Sequence, residues 1–228
     1  MKKTSILIAI IILFCCPNML TAQVKINNSK CKNSVRFADI IICLPVVDGM
    51  FECYKKPLVK KYFDKLNPTG NPIFASYLKN SHFKHIDSLD VYSIEDYFII
   101  YGLNKMKGVK IDNTALNTIS NLMENGFIKE NWDYIKKKIE DNSDYITLGR
   151  PVLVKSYTVN SKIKAFVLLS KIENENGEKI QIQIMNYIQI KERLISLSYY
   201  LDYYDDNSFK TAKAKNDYIT LLLLEEND

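Results

Sequence analysis

Gly177-Glu178-Lys179-Ile180-Gln181-Ile182-Gln183-Ile184-Met185-Asn186-Tyr187-Ile188-Gln189-Ile190 is the stretch whose reading decides the fold. Ile180, Ile182, Ile184, Ile188 and Ile190 fall on one parity, and Lys179, Gln181, Gln183 and Gln189 on the other. That is the period of a strand with one dry face. Each buried isoleucine is worth roughly 1.5–3 kcal/mol, so a slip of one residue would expose the whole row. Asn186 interrupts the row, and the stretch is long for a strand, so a bend or bulge is expected there.

Working outward, Asn176-Gly177 is a hairpin signal, because a type I′ turn needs positive φ at both central residues. Before it, Val152-Leu153-Val154 starts a strand, Ser161 marks a turn, and Lys164 to Ile172 is apolar on both faces. After it, Lys191-Glu192-Arg193 turns the chain into Leu194–Leu201, where Ile195, Leu197, Tyr199 and Leu201 share a face. Asp205-Asp206-Asn207-Ser208 starts a helix, with acidic charge at the positive end of its dipole. That helix turns Phe209, Ala212, Ile219, Leu222 and Leu223 inward and Lys210, Lys213 and Lys215 toward water. Antiparallel strands followed by a covering helix predict an α+β fold, an antiparallel sheet with packed helices.

The earlier chain fits the same class. Val35–Leu44 reads as a first strand ended by Pro45, and Asp48-Gly49 turns into a short strand over Met50–Tyr54. Pro57 opens a helix that Asn67–Pro72 stops, and Ile73–Leu78 is another strand. Residues 93–141 read as a helical insertion. Ser93 with Asp96 resembles a capping box ahead of Tyr97, Phe98 and Tyr101, although Tyr97–Tyr101 has equal strand propensity. Asp112 can cap a helix carrying Leu116, Ile119 and Met123, closed by Gly126; Trp132, Ile135 and Ile139 repeat at helical spacing beyond it. No linker or internal repeat divides residues 35–228, which are expected to form a single α+β domain.

The N-terminus bears on compartment. A basic head at Met1-Lys2-Lys3, an apolar run from Ile6 to Cys16 and Leu20-Thr21-Ala22 have the layout of a secretory signal peptide over residues 1–22. The run is shorter than the ~20 residues that span a bilayer. Phe14 and Cys15 stand before Cys15 and Cys16, where a lipoprotein motif wants a small residue. Residues 23–34 then form a flexible arm, and the mature protein is exported, periplasmic or secreted, touching membrane only through the cleaved signal. The formal charge of +5 falls by two with Lys2 and Lys3. With only Arg36, Arg150 and Arg193 as arginines, no nucleic-acid partner is expected.

Cys31, Cys43 and Cys53 remain after the signal. Cys43 lies in the apolar run Ile40–Leu44 and reads as a core residue, so the disulfide candidate is Cys31 with Cys53. His82, His85 and Asp87 form the one grouping that could ligate a metal, zinc by its donor chemistry; a polar surface turn is the competing reading. Cys53 with a histidine could form a nucleophile and base, against a buried or bridged thiol. Asp202, Asp205 and Asp206 could collect calcium, against a helix cap. Tyr199, Tyr200, Tyr203 and Tyr204 could stack on a sugar, against ordinary strand packing. With seven glycines there is no G-x-G-x-x-G and no phosphate loop, nor any H-E-x-x-H or G-x-S-x-G. No catalytic residue and no cofactor is assigned.

The run Asn186–Tyr200, Lys213-Ala214-Lys215 in the last helix, and Ile42-Cys43-Leu44-Pro45 near the start together resemble PsbP-like domains, over about residues 150–226. In those domains a strand ending in a basic residue enters a hairpin, and the final helix crosses an antiparallel sheet. The resemblance implies an α/β/α sandwich, non-enzymatic, that docks on protein partners, with residues 93–141 as a departure. The expected function is an exported binding or accessory protein of the bacterial cell envelope whose partner is another envelope protein. The alternatives are a metal-binding protein or enzyme using His82, His85 and Asp87, and a carbohydrate-binding module using the tyrosines.

Overall fold

The long isoleucine strand is the middle of a mixed-length antiparallel sheet. The computed structural model describes residues 31–67, 69–83, 94–126, 129, 130, 133, 137, 147–174 and 177–228. In chain order the elements are β1 (Ser34–Phe37), β2 (Ile40–Cys43), β3 (Met50–Glu52), α1 (Pro57–Lys65), β4 (Ile73–Lys79) and α2 (Asn80–Phe83). There follow β5 (Asp96–Gly102), a 3₁₀ turn (Asn104–Met106), α3 (Asn113–Glu124), β6 (Thr147–Leu148) and β7 (Val152–Asn160). The chain closes with β8 (Ile163–Asn174), β9 (Gly177–Ile190), β10 (Arg193–Asp202) and α4 (Asp206–Glu225). The main sheet runs β3-β4-β5-β10-β9-β8, with β7 and β6 pairing β8; β1 and β2 form a separate hairpin.

Helices pack on both faces of the antiparallel sheet, and the chain is of the α+β class. On one face Ile182, Ile184 and Ile188 of β9 join Ile195, Leu197 and Tyr199 of β10. Over them pack Ala212, Ile219 and Leu223 of α4, with Phe37 and Ile42 of the hairpin. On the other face Val59 and Phe63 of α1 meet Leu78 and Tyr97. Leu116 and Met123 of α3 meet Phe166, Tyr187 and Leu194 on that same face. Gly102 closes the first core: a Cβ there would stand 2.5 Å from the Phe37 ring and 2.7 Å from Phe74.

Much of the local reading holds. α1 starts at Pro57, Asp112 caps α3 by accepting from the Ala115 N–H at 2.7 Å, and Gly126 follows at φ +106°. Asp205 and Ser208 form a reciprocal capping box at the start of α4.

Other expectations need correction. The supposed helical insertion opens with a strand, β5, seated between β4 and β10. Asp96, Tyr97, Phe98, Ile100 and Gly102 are all buried, because a strand flanked on both sides and covered on both faces shows no polar alternation. Ser93, of the proposed capping box, and Trp132, Ile135 and Ile139 lie outside the described residues. Val35–Leu44 is two strands, folded back at Ala38-Asp39 with Ala38 at φ +53°. Gly177 pairs with Asn174, so the connection is residues 175–176 and Asn-Gly sits one place off the expected turn. Among the described residues, Lys191-Glu192 is a two-residue turn with positive φ at both positions, +46° and +58°.

β9 does not bulge at Asn186; its register with β8 and β10 is unbroken. The bulges fall between Ile73 and Ala75 and at two places in β7. Lys215 is exposed, as expected, and its ammonium also reaches the buried Asp96 at 2.5 Å. The disulfide is Cys31–Cys43, with Cα atoms 5.3 Å apart, and not Cys31–Cys53. Pairing of Ser34 with Cys43 in the hairpin brings Cys31 alongside, whereas Cys53 is buried in the α1 cluster.

Candidate functional site

The end of the sheet where β9 begins and β10 ends holds a cleft of about 540 Å³. Glu95, Lys171, Glu178, Lys179, Ile180, Asp202, Tyr203 and Tyr204 line it. Strand pairing sets the position of each. The Asp202 N–H donates to the Glu95 carbonyl at 3.0 Å, and the Tyr203 N–H to the Ile180 carbonyl at 2.8 Å. The chain then turns into α4, and Ser208 Oγ accepts from the backbone N–H of Tyr204 at 3.1 Å and of Asp205 at 3.3 Å. The capping residue Ser208 therefore holds Tyr204 as well as the helix, while Tyr203 is held by Ile180.

Beneath the cleft is a shielded ion pair. Lys179 Nζ lies 2.9 Å from Asp202 Oδ2, the two side chains being 14% and 7% exposed. Lys179 also donates to the Ile94 carbonyl at 3.2 Å, and Gln181 Nε2 donates to Asp202 Oδ1 at 3.2 Å. Burial pushes the Asp202 carboxyl above its ordinary range, and Lys179 pulls it partly back. At the rim Lys171 bridges Glu173 at 2.5 Å and Glu178 at 2.7 Å. Glu95 makes no ion pair among the described residues.

Tyr203 packs on Phe209 with ring centroids 5.3 Å apart, while Tyr204 is 71% exposed and Ile180 44% exposed. Burial raises the Tyr204 phenol, and the charges of Glu95 and Asp202 raise it further. Ile180 has the parity of the core isoleucines and lies past the cover of α4, which explains its exposure.

The residues singled out from sequence that lie among the described residues take several different places in the fold. His82 lies in the single helical turn α2; His85 and Asp87 lie outside the described residues. No group of three or more histidine, cysteine or acidic side chains with metal-holding geometry occurs among the described residues. Cys53 donates to the Ser76 carbonyl at 3.3 Å, and burial pushes its thiol up to about 11, so at neutral pH it rests protonated. Asp205 caps α4, Asp206 sits in its first turn, and Asp202 holds Lys179. Tyr199 is buried on the α4 face and donates to Asp96 at 2.7 Å. Tyr200 stacks on Tyr97 on the opposite face, at 4.5 Å.

Of the sequence candidates, the cleft keeps Asp202, Tyr203 and Tyr204. Glu95, Lys171, Glu178, Lys179 and Ile180 were missed. Their only signal in sequence is that Lys179 and Gln181 share a strand parity; their proximity to Asp202 follows from a register read across three strands. No family model, curated protein or solved structure matches the chain, so the PsbP-like resemblance has no support from relatives.

Proposed function

We propose that this chain is an exported, non-enzymatic binding or accessory protein of the bacterial cell envelope, which engages another envelope protein at the cleft between Ile180 and Tyr204. The observation that carries the reading is the pairing of exposed apolar surface with charges already satisfied inside the fold. Tyr204 and Ile180 stand open beside Lys179 and Asp202, which neutralise one another. A tyrosine presented on a fixed turn is a low-entropy contact of the kind interfaces favour. Export is supported by the N-terminal signal pattern and by the Cys31–Cys43 bridge, since such bridges persist in oxidising compartments. The finer fold reading, a PsbP-like α/β/α sandwich, belongs to the same proposal. It is supported by helices on both sheet faces.

The test is capture from the native envelope fraction with the wild-type chain and with Tyr204→Ala. A partner retained by the wild type and lost from the variant supports the reading. Identical capture by both contradicts the cleft as the recognition surface.

A further inference from the structure

We propose that the cleft takes a cationic side chain, lysine or arginine, presented by the partner. This rests on the binding reading above and names what the cleft recognises.

The argument begins with which charges are already answered. Lys171 is held between Glu173 and Glu178, and Lys179 is held by Asp202 and the Ile94 carbonyl. Both cations of the cleft therefore have carboxylate partners. Glu95 has no ion pair among the described residues, so the charge left over at the mouth is negative. This is notable in a chain whose formal charge is +5, where a general surface field would be positive.

The aromatic and apolar parts agree with that sign. Burial raises the Tyr204 phenol most, and the charges of Glu95 and Asp202, with a hydrogen bond to Glu95, raise it further, which places two carboxylates beside that ring. An open tyrosine face in a negative field attracts a cation through its quadrupole and through Glu95 together. Ile180, exposed on the neighbouring strand, offers a surface for the methylene stem of a long basic side chain, whose charged head stays wet. A carboxylate or phosphate would meet Glu95 while both lysines are engaged. A purely apolar group would leave the charge of Glu95 without a role.

The probe is a tetralysine peptide, with tetraglutamate as its opposite, titrated into the full chain at low salt and followed by backbone amide NMR. The net positive charge of the protein disfavours tetralysine overall, so a response centred on the cleft is diagnostic. The proposal expects saturable shifts centred on Glu95, Ile180 and Tyr204. It expects Glu95→Gln and Tyr204→Ala each to weaken the peptide by about fivefold, while Glu124→Gln on the exposed end of α3 leaves it unchanged. All three positions are exposed, so the variants are expected to fold, and their amide spectra check it. Tetralysine shifts that ignore Glu95, or tetraglutamate binding at the cleft, would overturn it. If envelope capture survives Glu95→Gln but not Tyr204→Ala, the cation is wrong and the binding reading stands.

Discussion

Asn186 adds a directional constraint to the burial of the isoleucines around it. Its amide is fully buried, and Nδ2 donates to the Ile184 carbonyl at 3.2 Å, the Leu197 carbonyl at 3.0 Å and Asn216 Oδ1 at 2.6 Å. Asn216 Nδ2 returns a bond at 3.1 Å and reaches the Tyr157 hydroxyl at 3.2 Å. Tyr157 in turn donates to Asp217 at 2.8 Å. Asn186→Ala leaves Asn216 Oδ1 without its donor in the core and is expected to cost about 1–3 kcal/mol plus a cavity term. The paired change Asn186→Leu with Asn216→Leu is expected to recover part of that loss. Urea midpoints measure both; a single variant that unfolds with the wild type would refute the role. The sequence shows Asn186 as an interruption because its partner lies thirty residues on, on another element.

A second residue-scale prediction concerns pH. Arg193, 9% exposed, grips Asp39 through two bonds of 2.9 and 2.8 Å. The Arg193 hydrogen bond holds the Asp39 carboxyl below its ordinary 3.8. A depressed folded pKa contributes stability above the unfolded value and loses it as pH falls through the folded one. Asp39→Asn is therefore expected to be less stable than wild type at pH 7, with the gap closing at an acid pH where the folded carboxyl is protonated. An equal gap at both pH values would contradict it.

At the scale of elements, legibility followed exposure. β9 declared itself because one parity is apolar and the other mostly polar in sequence, and α3 and α4 because Asp112 and Asp205 cap them. β5 was hidden because it is buried on both faces, and an apolar run without alternation fits a helix or a strand equally well. The β1–β2 hairpin was hidden because Ala38 is an unusual residue for positive φ. Cysteine pairing depended on that missed fold-back, so the bridge was misassigned. A non-reduced digest is expected to join the Cys31 peptide to Cys43 and to leave Cys53 unmodified by alkylation until the chain unfolds. A Cys31–Cys53 peptide would contradict the fold of the hairpin. Closing a loop of sequence separation 12, the bridge should stabilise the chain by roughly 3 kcal/mol.

The hairpin also anchors the far end of the molecule. The Asn227 amide accepts from the Cys43 N–H at 2.8 Å and donates to the Cys43 carbonyl at 2.9 Å, and Asp228 pairs with Lys162. Both ends of the described body are thus tied to one corner, and the opposite end of β9 carries the cleft. The α+β class was legible because patterning alone reports it; the cleft was not, because its walls come from β8, β9, β10 and the residue before β5. Tyr204 was visible as one of four tyrosines, yet only the capping turn shows which of them stands in solvent. The most direct test of the account is capture from the native envelope by the wild-type chain beside Tyr204→Ala, using an antibody so that neither terminus is altered. The account predicts a partner held by the wild type and lost from the variant; equal retention by both, or no partner for either, would contradict it.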